Sequence, residues 1–321
     1  MAAAMLKAGL FEHFYWSSTA VAGALEQLRN GAFDLVLANE ITTVPLALRL
    51  NPRCGVILDA HEYSPREMEQ EWKWRFFFRP YLHYLCKEYI PRVAGMITVG
   101  ERIAREYLQQ YGVKPEVVQN APPFADLRPR PLDRNTVRLV HHGGAVASRR
   151  IDRMIAMMAQ LDERFSLDLF LVETDPAYLR WLRATAADHP RVRVLPPVPM
   201  TQLPAILNAY DVGIYILEPS SFNNMYALPN KLFEFIQGRL AVAIAPSPEM
   251  AEVVRRFDCG IVAKDFSVAA LARELRNLTE DRIFQYKLNS HRAARELCYE
   301  SVSQVLLRVV DGALKKSLGQ E

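Results

Sequence analysis

The 321-residue sequence has few cysteines, little net charge and no long apolar run. Its four cysteines are scattered, without a Cys-x-x-Cys pair or a histidine at zinc-binding spacing, which favours buried thiols in a reducing compartment. A formal net charge of +3 gives no reason to expect nucleic acid as a partner. No run reaches the ~18 apolar residues of a membrane span, and the N-terminus makes a poor signal peptide. We therefore expect a cytoplasmic protein.

Familiar cofactor signatures are missing as well. There is no Gly-x-Gly-x-x-Gly and no Walker-type Gly-Lys-Ser/Thr, which disfavours dinucleotide oxidoreductases and P-loop enzymes. The histidines show no metal-ligand spacing, and the carboxylates form no aspartate cluster. We therefore predict neither a metal nor a cofactor.

Short apolar runs alternate with helical patterns along the whole chain. Because these runs are continuously apolar, they indicate strands buried on both faces, as in a parallel sheet covered by helices. This alternation predicts an α/β protein with two doubly wound domains facing a cleft. The ten predicted strands are 34–38, 56–60, 96–99, 117–119, 137–142, 166–172, 192–195, 212–216, 240–245 and 260–263.

A proline-rich stretch without periodicity, residues 120–135, reads as the linker between the two domains. We predict a first domain over residues 1–125, a second over residues 136–295 and a C-terminal segment over residues 296–321. An amphipathic helix is expected in that last segment.

Gly143 and Gly144 end a predicted strand and are followed by Arg149 and Arg150 before a helix. Glycines permit close backbone approach, and arginines with helix N-terminal amides favour a phosphate. The alternative is a plain turn with solvated arginines.

Asn230, Lys231 and Glu234 open a helix that leads into another strand. Asn230 is predicted to cap this helix, which would aim its dipole and the Lys231 ammonium at one anion. Glu234 could accept hydrogen bonds from ribose hydroxyls. The alternative is a surface ion pair of little energetic worth, although the apolar residues around Glu234 indicate a buried helix.

His61 follows a predicted strand, where it could donate to a sugar hydroxyl or act as a base. A structural histidine is the alternative. His141 and His142 are adjacent on a strand and should point to opposite faces, so at most one of them is expected at the cleft.

The stretch 72–92 interleaves basic and aromatic residues. It could lie on a membrane surface or contact a lipid-linked acceptor. The alternative is a helix whose aromatic residues pack on the N-terminal sheet.

Several segments in one order resemble the family 4, group 1 glycosyltransferases of GT-B fold. The resemblance runs from about residue 20 to about residue 315 and rests on seven segments: DLVLANEITTVPLALRL, VILDAHEY, MITVGERIAREYLQQYGV, VVQNAPPF, LVHHGGAVASRRIDRMI, YDVGIYI and ALPNKLFEFIQGRLAVA. It implies metal-independent transfer, with retention, of a sugar from a nucleotide sugar bound between two Rossmann-like domains. It also implies that the C-terminal helix crosses back to the first domain.

The resemblance also implies roles for individual residues. Arg149, with Arg150 as the second choice, and Lys231 would neutralise the donor diphosphate, which leaves as an oxocarbenium-like state develops. Glu234 would hold the ribose. The other implied contacts are Val198 at the base, His61 at the transferred sugar, and Asn224 and Asn230 in an asparagine-containing version of the donor loop.

Two features depart from the family pattern. The family's paired glutamate would stand eight residues before Glu234, where this chain has Tyr226. The segment DLVLAN follows only 33 residues, so the first strand, its glycine-rich loop and the next strand of the family pattern are expected to be missing. Either the gene start is misplaced or the N-terminal domain is reduced, and a reduced domain should expose hydrophobic surface.

The function expected from the sequence is a hexosyl-type glycosyltransferase of polysaccharide biosynthesis. Its partners would be a nucleotide-sugar donor and a glycan or lipid-linked acceptor, with the inner face of the membrane as an alternative location. A phosphate oxygen would take the acceptor's proton, with Glu62 as an alternative base. The rival functions are a degenerate protein that binds without turnover, a nucleotide-sugar epimerase or hydrolase, and an interaction protein.

Overall fold

The computed structural model describes residues 2–133 and 135–317. Within that range the chain forms two compact units. Unit 1 comprises residues 2–119, 220–223 and 303–317, and unit 2 comprises residues 120–133, 135–219 and 224–302. These ranges differ from the predicted domains chiefly at 120–125, 220–223 and 296–302.

Unit 1 contains a four-stranded parallel sheet. Its strands, in the order β1-β2-β3-β4, are Val36–Asn39, Val56–Ala60, Gly95–Thr98 and Glu116–Val117. Its helices are α1 (Ala2–Lys7), α2 (Phe11–Trp16), α3 (Thr19–Leu28), α4 (Val44–Arg49), α5 (Trp72–Tyr89) and α6 (Glu101–Tyr111).

The core of unit 1 forms where apolar strand residues meet the inner faces of the helices. Strand β2 is buried along nearly its whole length, and α5 contributes Trp74, Leu85 and Cys86 to the same core. Gly112 ends α6 in the left-handed conformation. Leu28 and Leu37 of this unit remain exposed.

Unit 2 contains a six-stranded parallel sheet with the order β10-β9-β8-β5-β6-β7. Its strands β5 to β10 are Val137–Gly144, Phe165–Val172, Val192–Leu195, Val212–Tyr215, Ala241–Ile244 and Gly260–Val262. The helices are α7 (Asp152–Met158), α8 (Pro176–Ala187), α9 (Leu203–Leu207), α10 (Phe222–Met225), α11 (Asn230–Gln237), α12 (Pro248–Arg256), α13 (Val268–Arg276), α14 (Glu280–Ala293) and α15 (Tyr299–Ser317). Helices α10 and α15 have residues in both units.

Each of the ten predicted strands is present, which confirms the α/β class and the two parallel sheets. Strand β5 continues through Gly143 and Gly144, two residues beyond its predicted end. In unit 2 the chain adds β6 and β7 on one side of β5 and then returns to add β8, β9 and β10 on the other. This reversal between β5 and β8 is the point at which doubly wound sheets bind ligands.

The proline-rich linker is packed rather than free. Residues 120–133 form no helix or strand, yet Ala121 is buried and Phe124 packs on the core of unit 2. The buried guanidinium of Arg239 donates to the Ala125 and Leu127 carbonyls. Side-chain donors thus replace regular structure in satisfying this backbone.

No helix within residues 2–133 or 135–317 combines the length and the apolar character needed to span a bilayer.

Candidate functional site

Lys231 lies at the carboxyl ends of β5 and β8, where the winding of the unit 2 sheet reverses. Its Nζ is 4.0 Å from the ring centroid of Tyr215, the last residue of β8. A cation over an aromatic face is favourable, and the side chain is buried at 5% exposure. The first turn of α11 therefore holds a positive charge at the end of the sheet.

Gly143 allows this ammonium group to lie against the backbone of β5. It has a φ of +131°, and a Cβ built on it would lie 3.4 Å from Lys231 Nζ. Residues with a side chain rarely adopt this φ, so glycine is required by conformation. Gly143 was predicted to permit close approach to its backbone, and the group that approaches it within the chain is the Lys231 side chain.

Glu234 is buried one turn after Lys231 and contacts His142, a residue that sequence reasoning did not select. His142 Nε2 is 3.3 Å from Glu234 Oε2, without hydrogen-bond geometry, and the His142 ring packs edge-on against Phe235. The other histidine, His141, stacks on Tyr215 with its Nδ1 3.0 Å from the Ile214 carbonyl oxygen, and burial with the Lys231 charge lowers its pKa. At most one of the two was expected at the cleft, yet His142 contacts Glu234 and His141 stacks on Tyr215, the ring over which Lys231 lies.

Burial brings the pKa values of Lys231 and Glu234 together. Burial, with the charge of Arg149, lowers the pKa of Lys231 to about 7. Burial raises the pKa of Glu234 to about 7, against the opposing charge of Lys231. Burial and the Lys231 charge lower the pKa of His142 to about 3, so its imidazole is neutral at physiological pH. Perturbed pKa values of this kind are typical of functional sites.

The two candidate arginines occupy different environments. Arg149 is exposed at the end of a short 3₁₀ turn, and its charge acts on Lys231 and His141. Arg150 has a φ of +48° and donates to Asp152 at 3.0 Å. The structure therefore brings Arg149 close to Lys231 and pairs Arg150 with a carboxylate.

One prediction about this helix is wrong. Asn230 does not cap α11; it is the first residue of the helix and is exposed, while Pro229 is the N-cap residue. The Pro229 carbonyl accepts from the Leu232 N–H at 3.1 Å, which closes the first turn without a side-chain cap. The alternative of a surface Lys–Glu pair is also excluded, since both side chains are buried.

Other candidates lie in looser surroundings. Gly144, at the end of β5, approaches Thr174: a Cβ on it would lie 2.7 Å from Thr174 Oγ1. Val198 is half-buried after β7, and Asn224 is half-buried in α10.

Unit 1 carries a second group of polar residues, at the carboxyl ends of β1 and β2. His61 Nε2 is 3.1 Å from Asp59 Oδ2, and His61 Nδ1 is 3.6 Å from Glu40 Oε1. Glu40 also accepts from the His61 backbone N–H at 3.2 Å and from Ser64 Oγ at 3.4 Å. The imidazole is therefore held between two carboxylates.

Glu40 is a second residue that sequence reasoning missed. Its φ of +66° is unusual for a residue with a side chain, and such backbone conformations collect at functional sites. Burial raises the pKa of Glu40 to about 7, with the nearby His61 acting in the opposite direction. Its place directly after a buried strand was the available signal.

Asn223 belongs to unit 1 and is hydrogen-bonded there. Its side-chain nitrogen donates to Glu62 Oε2 at 3.0 Å, and its side-chain oxygen accepts from the Tyr63 N–H at 3.0 Å. Glu62, the alternative base, is thus held by an amide. Among residues 2–133 and 135–317 no group of three or more His, Cys, Asp or Glu side chains is placed to hold a metal ion.

Comparison with solved structures identifies the fold. The chain superposes on HepE of Anabaena in complex with UDP with a TM-score of 0.70 at 15% identity, covering 91% of this chain and 81% of HepE. For sucrose-phosphate synthase from Thermosynechococcus elongatus the TM-score is 0.71 at 13% identity, with 91% and 76% covered. These neighbours are glycosyltransferases of the GT-B fold, and this chain has the same fold.

A third neighbour is a point mutant of S. aureus TarM in complex with Fondaparinux, alpha-GlcNAc-glycerol and UDP, with a TM-score of 0.67 at 12% identity. The match covers 90% of this chain but only 58% of TarM. No family model matches the chain, and no curated protein matches it.

Proposed function

We propose that this protein is a glycosyltransferase that takes its sugar from a nucleotide donor bound at the carboxyl ends of β5 and β8. The observation that carries the proposal is the buried pair of Lys231 and Glu234 beside Gly143, at the reversal of the sheet winding. A buried ammonium needs an anion, and a diphosphate supplies one. The UDP bound in HepE and in the TarM mutant supports a nucleotide ligand.

The proposed chemistry is departure of a nucleoside diphosphate from the anomeric carbon of the sugar. Negative charge grows on the leaving phosphate as the bond breaks, and preorganised positive charge from Lys231 and Arg149 stabilises it. Because two side chains supply this charge, we propose that transfer needs no metal. We further propose retention of configuration, with a phosphate oxygen taking the acceptor's proton.

Glu234 is proposed to accept hydrogen bonds from the ribose hydroxyls, with His142 packed against its carboxylate. We assign the backbone near Val198 to the base, and Asn224 and Asn230 to the donor loop. Arg150, already paired with Asp152, is a weaker candidate for the phosphate than Arg149. His61 and Glu62 of unit 1 stay predictions for the transferred sugar and for an alternative base.

The acceptor is proposed to be a glycan or a lipid-linked glycan, the transferred group a hexose, and the place of action the cytoplasm or the inner face of a membrane. Two rivals share the same nucleotide site: a protein that binds without turnover, and a nucleotide-sugar epimerase or hydrolase.

Binding is tested first by thermal unfolding with UDP, GDP, ADP, CMP and their common sugars. Ligand at about 100 times its Kd adds ~2.7 kcal/mol to the free energy of unfolding. We expect one nucleotide to stabilise the wild type, and Lys231→Met and Glu234→Ala to lose that response. Lys264→Met removes an exposed lysine of the same unit and should keep it. A panel with no response contradicts the proposal.

Turnover is tested by following the responsive donor by mass spectrometry, with and without glycan and lipid extracts. A transferase consumes donor only when an acceptor is present. Consumption without acceptor would indicate a hydrolase, an isomeric sugar nucleotide an epimerase, and stabilisation without consumption a binding protein.

A further inference from the structure

The first half of α5 turns aromatic side chains toward solvent. Trp72 is 65% exposed and Phe76, one turn later, is 59% exposed. Large aromatic residues are normally at least partly covered in soluble proteins, and neighbouring exposed ones mark an interaction surface. Met68, just before the helix, is exposed as well.

Helix α5 is packed against the core of unit 1 despite this exposure. Trp74, Tyr81, Leu82 and Leu85 are buried and form the inner side of α5. At 100° per residue, Trp72 and Phe76 lie together on the opposite side with Arg79. Helix α5 therefore has one apolar face in the core of unit 1 and a second, aromatic face in solvent.

Within α5 itself, the charge beside the aromatic face is positive. Residues 72–87 contain no Asp or Glu and four basic residues. Lys73, Arg75 and Arg79 are exposed beside the aromatic rings, and Lys73 Nζ lies 5.8 Å from the ring centroid of Trp72. Acidic residues occur just before the helix, at 67, 69 and 71, and Glu69 is paired with Arg66. We call the set Met68, Trp72, Lys73, Arg75, Phe76 and Arg79 the α5 patch.

We propose that the α5 patch binds the surface of a membrane that contains anionic phospholipid. Tryptophan and phenylalanine side chains insert at the level of the lipid headgroups, while lysine and arginine next to them meet the phosphates. A second copy of this chain is a poorer partner, because two α5 patches face to face would bring like charges together.

The proposal goes beyond the nucleotide site and does not depend on it. All residues of the α5 patch belong to unit 1, whereas the nucleotide site consists of residues of unit 2. Binding to lipid without binding to a nucleotide would support this inference and contradict the proposed function. Binding to a nucleotide without binding to lipid would support the proposed function and contradict this inference.

The experiment is sedimentation of the full chain with vesicles of phosphatidylglycerol mixed with phosphatidylcholine, and with vesicles of phosphatidylcholine alone. We expect binding to the anionic vesicles that weakens with salt. Each basic side chain near an anionic surface contributes roughly fivefold in affinity. Arg75→Gln with Arg79→Gln should therefore weaken binding about thirtyfold. The double substitution Trp72→Ser with Phe76→Ser should remove most of it.

The control is Trp181→Ser on α8. Trp181 is 49% exposed and has Arg180 and Arg183 as close neighbours in sequence, yet it belongs to unit 2. It should leave vesicle binding unchanged, and thermal unfolding should show that all variants are folded.

Equal binding to both vesicle types, no binding to either, or an equal loss in Trp181→Ser would overturn the proposal. Self-association that disappears in the Trp72→Ser, Phe76→Ser variant would overturn it too, because it would assign the patch to contact between copies.

Discussion

At the scale of single residues, Lys231 and Glu234 were predictable because their neighbours in the sequence are apolar. The apolar neighbours Leu232, Phe233 and Phe235 indicate a buried helix, and all three are buried. An ionisable pair in such a helix must have a partner or a function. His142 was not predictable in the same way, because its contact with Glu234 joins a strand and a helix 92 residues apart, as the two residue numbers show.

The pKa of Lys231 leads to a prediction for nucleotide binding. A bound diphosphate stabilises the ammonium form, so it should raise the Lys231 pKa above its value of about 7 in the free protein. Above about pH 7, binding should take up a proton, and the UDP affinity should fall about tenfold per pH unit. Calorimetry in buffers of different ionisation enthalpy measures the uptake directly.

Glu234 could contribute to the measured proton uptake as well, because a bound diphosphate would also favour its protonated form. His141 and His142 are neutral at this pH, since burial holds the pKa of each below its usual range. At about pH 8 Glu234 is largely ionised in the free protein, given its pKa of about 7. Glu234→Gln should therefore keep the proton uptake at that pH even if it weakens binding. Binding without proton uptake in the wild type would contradict the role given to Lys231.

Glu40 gives a prediction about stability. Its pKa is raised from 4.5 to about 7 by burial, so its contribution to stability is fully present below pH 4.5 and is lost as the pH rises through about 7. Glu40→Gln cannot ionise and should escape this loss.

Relative to the wild type, Glu40→Gln should gain about 1 kcal/mol between about pH 5 and pH 8, a modest value because solvent screens a side chain that is 38% exposed. Urea unfolding at the two pH values measures the gain. Glu101→Gln, an exposed glutamate at the start of α6, is the control and should show no such difference.

At the scale of elements, the ten strands were predictable because parallel strands covered on both faces are continuously apolar. The ends of the strands and helices were harder to predict. Strand β5 continues through two glycines because Gly143 and Gly144 pair in register with Leu171 and Val172 of β6, and composition alone does not show a pairing partner. The start of α11 was misplaced by one residue for a similar reason, since the Pro229 carbonyl replaces the expected asparagine cap.

Strand β8 and helix α11 approach each other closely at Gly213. A Cβ on Gly213 would clash with the ring of Phe235, which sits in the middle of α11. Gly213→Ala should therefore destabilise the protein by about 1–3 kcal/mol and weaken UDP binding by moving Lys231 and Glu234.

The matched control is the same substitution at Gly23, within α3, where an added Cβ meets nothing within 4 Å. Gly23→Ala should stabilise the protein by roughly 0.5–1 kcal/mol through helix propensity. Denaturant unfolding of the two variants should give shifts of opposite sign. A neutral Gly213→Ala would mean that α11 is free to move away from β8.

At the scale of the whole molecule, the proposed nucleotide site draws every side chain from one unit. Residues 142, 143, 149, 231 and 234 all belong to unit 2. A fragment of residues 120–302 should therefore fold and be stabilised by the same nucleotide as the full chain, with Lys231→Met in the fragment as the control. A folded fragment that ignores the nucleotide would show that unit 1 is needed for binding.

The packing of residues 120–133 should make this segment resistant to proteolysis in the folded protein. A proline-rich stretch without helix or strand is ordinarily where a chain is nicked first. Here Arg239 holds the Ala125 and Leu127 carbonyls, and Gln237 Oε1 accepts from the Ala125 N–H at 3.0 Å. A protease must pull the backbone off these partners before it can cut. The rate of cleavage within residues 120–133 should therefore measure how often unit 2 opens, and not the mobility of a flexible linker.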